Sequence, residues 1–101
     1  PALAEDRSEQ VAACMVANAT EADIAQMKQL MLLALQEKKQ EASGVLGSLM
    51  LTAGLSASGN CGVGFNEVGS PMFEYAMRLY GEHLGTVVLE RSLEAMNLPM
   101  R

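Results

Sequence analysis

Ala42 to Asn66, ASGVLGSLMLTAGLSASGNCGVGFN, contains no charged residue, and near its end stands Cys61, one of two cysteines in a chain of 101 residues. The first half of this tract is small and apolar, and the second half is punctuated by glycine. So long an uncharged stretch must be buried in the fold, set against a partner or laid on a membrane, because it has too little polarity to sit alone in water. The other cysteine, Cys14, lies far upstream, so a Cys14–Cys61 disulfide would staple the tract to the N-terminal segment. Closing that loop of about 47 residues is worth about 4 kcal/mol in the chain-entropy model. That is a large share for a domain whose whole stability is about 5–10 kcal/mol. The competing reading is a pair of buried thiols acting as small hydrophobes.

Within the tract, Val45 to Ser56 reads as a short helix built around Gly47, Ser48, Ala53 and Gly54, small residues that let another helix approach. Its apolar part is too short to span a bilayer, which needs about twenty residues, and it lacks basic or Trp anchors, so membrane insertion is not expected. Ala57 to Gly69 reads as a glycine-rich connection tethered at Cys61. Gly62-Val63-Gly64 has no Gly-Lys-Ser/Thr after it and no strand pattern before it, which removes a phosphate-loop reading.

Upstream, Ser8 to Ala17 predicts a short helix with Val11, Cys14 and Met15 on its inward face. Thr20 with Asp23 three residues on forms an acidic capping box that opens a second helix, expected over Glu21 to Ala42 with a stop at Gly44. Ile24, Met27, Met31 and Leu35 make its stripe. Downstream, Ser70 as N-cap and Pro71 at the first helical position announce the last helix, expected to run to Asn97. Phe73, Met77, Tyr80, Leu84, Val87 and Val88 form its apolar face. Gly81 and Gly85, four apart, mark either a close helix neighbour or a break near Gly85. No period-two alternation occurs, so the fold class is all-α: a four-helix bundle over residues 5–99, with a Gly-rich loop before the last helix and one disulfide.

The formal charge is −5, with twelve acidic against seven basic residues, which argues against nucleic-acid binding. Lys38 and Lys39, bracketed by Glu37 and Glu41, read as a solvated helix face. Half the residues are apolar and only 19% are charged. In so small a domain that surplus predicts burial between subunits, as a homodimer or against another protein. Ala2-Leu3-Ala4 has the small-x-small form that signal peptidase accepts, so residues 1–4 read as the remnant of a cleavage region and the chain as periplasmic or secreted. Asn18-Ala19-Thr20 also fits a glycosylation acceptor, although a helix cap is the better use of Thr20.

Catalytic chemistry has little to draw on. The one histidine, His83, could pair with Cys61 as base and nucleophile only if Cys61 were a free thiol. Eight methionines raise a soft-metal question, and Met27, Met31, Met72 and Met77 would be the ligands of a carrier. They lie on stripes shared with Leu, Ile and Phe, where Met fills cores. No cofactor, metal or catalytic residue is therefore expected. The leading expectation is a non-enzymatic interaction module of inhibitor, immunity or adaptor type; a periplasmic carrier of an apolar ligand or soft metal is the alternative. Gly47, Gly54, Gly81 and Gly85 are its expected close-packing or interface positions.

The segment Cys14-Met-Val-Ala-Asn-Ala-Thr20-Glu-Ala-Asp23-Ile, leading into an apolar helix, resembles the opening of small uncharacterised exported helical proteins of Gram-negative bacteria. Those proteins carry an aromatic residue and a His-Pro pair around the second helix, which this chain lacks. Their second cysteine lies in the last helix, whereas here it is Cys61 in the loop. The resemblance implies export and helices, and no activity.

Overall fold

The computed structural model describes residues 3–96, with side chains from residue 7 onward. Residues 1 and 2 of the expected cleavage remnant, and the last positions of the expected domain and final helix at 97–99, lie outside the described residues. Among the described residues there are four α-helices and no strand: α1 (Leu3–Ala17), α2 (Glu21–Leu35), α3 (Lys39–Asn60) and α4 (Pro71–Ala95), with a 3₁₀ turn at Phe65–Glu67. The all-α bundle with a single disulfide is thus the observed fold.

Helix α1 begins upstream of the expected Ser8 and buries Ser8, Val11, Ala12 and Met15, one face at helical spacing. This face packs on α4, where the Ser8 hydroxyl donates to the Met72 carbonyl at 2.9 Å. Helix α4 contributes Phe73, Ala76, Tyr80, Leu84 and Val88, again one continuous stripe. Ser70 caps it by accepting from the Phe73 N–H at 3.2 Å, and Pro71 follows at the first turn. The helix runs unbroken through Gly81 and Gly85, so the break considered at Gly85 does not occur. Its buried stripe has no gap there, and packing overrides the roughly 1 kcal/mol helix penalty of each glycine.

The expected capping box at the start of α2 is present. The Asp23 N–H donates to Thr20 Oγ1 at 3.2 Å, and the Thr20 N–H donates to Asp23 Oδ2 at 3.1 Å. The same Oδ2 accepts from the Tyr80 hydroxyl at 3.0 Å inside the fold. A helix cap on α2 is thereby joined to the core stripe of α4. Burial is the main reason the Tyr80 hydroxyl is held well above its ordinary pKa, and the bond to Asp23 adds to it.

The boundary between the second and third helices differs from the expectation. Helix α2 stops at Leu35 rather than continuing to Ala42, and α3 starts at Lys39, well upstream of the expected Val45. The stop is a Schellman motif centred on Glu37, whose φ of 59° is left-handed. The Lys38 N–H donates to the Leu33 carbonyl at 3.0 Å and the Glu37 N–H to the Ala34 carbonyl at 3.1 Å. Gly44, expected to end the second helix, lies instead in the early turns of α3. At its other end α3 runs on to Asn60, so the connection to α4 is shorter than the expected Ala57–Gly69 loop.

Helix α2 packs on both α3 and α4, while α3 also touches α1. Only Leu49, Ala53 and Ala57 of α3 are buried, a narrow strip of three positions four apart. Most of the uncharged tract is therefore not core.

Candidate interaction surface

The loop after α3 is held from several directions. Cys14 and Cys61 form the expected disulfide, with Cα atoms 5.8 Å apart. Arg7 of α1 forms a two-pronged ion pair with Glu67, and its Nη2 also donates to the Gly62 carbonyl at 3.3 Å. Glu67 accepts in turn from the Gly64 N–H at 3.0 Å. These bonds, the one to Arg7 foremost, hold the Glu67 carboxyl at about 2. Gly62 takes a left-handed φ of 71°, a conformation that favours glycine. Val63 beside it is buried, which anchors the loop to the core.

This fixed loop presents Phe65 and Val68 to solvent, Phe65 being 78% exposed. Beside them stand Met50, Leu51 and Leu55 of α3, and together with Gly54 they line an apolar cleft of about 140 Å³. A second cleft of about 460 Å³ adjoins it, sharing Met50, Leu51 and Val68 and reaching Phe73 and Met77 of α4. Among the described residues, Glu74 is the one charged side chain lining either cleft. This contiguous apolar face is the candidate interaction surface.

Another cleft, of about 400 Å³, lies between α2 and α4, lined by Ile24, Lys28, Val88 and Met96. Glu21 and Arg91 pair beside it at 2.7 and 3.0 Å. Both partners are exposed, and such pairs contribute little to stability.

The glycines expected at close-packing or interface positions make no close helix contact within the described residues. Among the described residues, a Cβ on Gly47, Gly54, Gly81 or Gly85 would meet nothing within 4 Å, so no other described helix packs closely there. Gly47 is exposed and Gly54 half-exposed on the outward side of α3. The methionines considered as soft-metal ligands are dispersed into packing: Met72 is buried, Met27 and Met77 lean on the core, and Met31 is half-buried. Cys61 is committed to its disulfide and offers no thiolate, and His83 is exposed. Among the described residues, no group of three or more His, Cys, Asp or Glu side chains is placed to hold a metal ion. Nor, among the described residues, is any helix long and apolar enough to cross a membrane.

The roles of Arg7, Glu67 and Phe65 do not show in the sequence. The charge-free tract signals that a surface needs cover, but the orientation of Phe65 depends on an ion pair between residues sixty positions apart. Compared with known proteins, the chain matches no family model, no curated protein and no solved structure.

Proposed function

We propose that the chain is an exported protein-interaction module whose contact face is the outer side of α3 together with Phe65 and Val68. The observation that carries this reading is the convergence of Met50, Leu51, Leu55, Phe65 and Val68 on one exposed face. An exposed aromatic beside aliphatic side chains is the composition of interface centres, where burial supplies the binding energy. The disulfide accords with export, because such bonds persist in oxidising compartments.

Photo-crosslinking tests the reading. A photoreactive residue placed at Leu51 or Phe65, in cells that naturally make the chain, is expected to give discrete protein adducts. The same residue at Glu90, on exposed α4 surface, is expected to give none. Equal labelling from all three positions, or none from Leu51 and Phe65, would reject the proposal.

A further inference from the structure

Helix α3 carries a pattern that reads nearly the same in both directions. About a centre between Met50 and Leu51, Leu46 mirrors Leu55, Gly47 mirrors Gly54, Met50 mirrors Leu51, and Ser43 mirrors Ser58. At about 100° per residue, Gly47, Gly54, Ser43 and Ser58 fall along the middle of one face, Leu46 and Met50 along one edge, and Leu51 and Leu55 along the other. The four large side chains are 44–66% exposed. The space over both glycines is open.

Resting on the interaction reading above, we infer that the occupant of this face is a second copy of the chain, with the two α3 helices antiparallel about a two-fold axis at Met50–Leu51. A two-fold contact requires a patch complementary to itself, and a mirrored row of knobs and gaps meets that condition. In this register Gly47 of one copy faces Gly54 of the other, so the backbones approach closely while the leucines interleave at the edges.

Charge supports the same arrangement. Every charged residue lies outside Ala42–Asn66, so this is the one long tract on which two acidic molecules can meet without burying charge. The register sets Lys39 of each copy, on the Leu46 edge, beside the C-terminal end of the other α3, whose last turn has no basic residue of its own. The helix dipole makes that end negative.

Sedimentation equilibrium on the purified chain, disulfide intact, across the micromolar range is the first test. The expected result is a dimer, with Leu51→Glu and Leu55→Glu each weakening association at least about tenfold while circular dichroism stays unchanged. The register is tested with Gly47→Cys and Gly54→Cys chains and a short bis-maleimide. The mixture is expected to cross-link several-fold better than either chain alone. A strict monomer, a dimer indifferent to both glutamates, or cross-linking as efficient within each single variant as in the mixture would overturn the inference. Failure here remains distinct from failure of the interaction reading: adducts at Leu51 of a mass other than two chains would retain the module and reject the second copy.

Discussion

The two ends of this bundle are built to different standards. Around the loop, α1, α4 and residues 61–70 are tied by a disulfide, an ion pair with the hydrogen bonds that surround it, and the buried stripes of α1 and α4. The α2–α3 hairpin buries Asp23 alone from α2 and three residues from α3. Its tip exposes Leu35 at 81%. The contrast teaches that cohesion is concentrated around the loop, while the hairpin keeps much of its apolar surface exposed.

The largest expected effect comes from the disulfide. Reducing Cys14–Cys61, or replacing both cysteines with alanine, is expected to cost about 4 kcal/mol in urea unfolding. A loss below about 1 kcal/mol would mean that packing and the Arg7–Glu67 contacts hold the loop half without the disulfide. Next, Leu84→Ala in the fully buried stripe of α4 is expected to cost about 3 kcal/mol. Leu35→Ala at the hairpin tip should change stability by less than about 0.5 kcal/mol. Similar values for the two would erase the contrast.

A smaller effect, of opposite sign, is expected at the turn. Glu37→Gly should stabilise the chain by about 0.5–1 kcal/mol, because a left-handed φ strains a residue with a Cβ. Destabilisation would show that the Glu37 side chain has a role. The smallest effect is electrostatic. Glu67 is held at about 2, below its ordinary 4.5, so its contribution to stability is present above pH 4.5 and is lost as pH falls toward 2. The advantage of the native chain over Arg7→Gln in melting temperature should therefore shrink across that window. An advantage that stays constant down to the acid end would contradict the assignment.

What was legible in the sequence was the local chemistry. Thr20 with Asp23, and Ser70 with Pro71, announce helix starts because their side chains or ring satisfy the first turn wherever the rest of the chain lies. The cysteine pairing was legible because two cysteines allow only one. The end of α2 was not, because a Schellman stop on glutamate lacks the glycine that usually marks it, and Gly44 offered a false one. Gly85 suggested a break that the packing of Leu84 and Val88 removes. The interaction face was half legible. Absence of charge from Ala42 to Asn66 showed that the tract needed cover, but only the fold separates Leu49 and Ala53, turned inward, from Leu51 and Leu55, turned out.

The disulfide encloses α2 and α3 in a covalent ring, and the exposed turn at Lys38 and Lys39 lies inside that ring. A protease that nicks the chain after either lysine would therefore release nothing: the fragments stay joined through the two sulfurs. Where thiols stay oxidised, a single cut at this turn leaves the molecule in one piece.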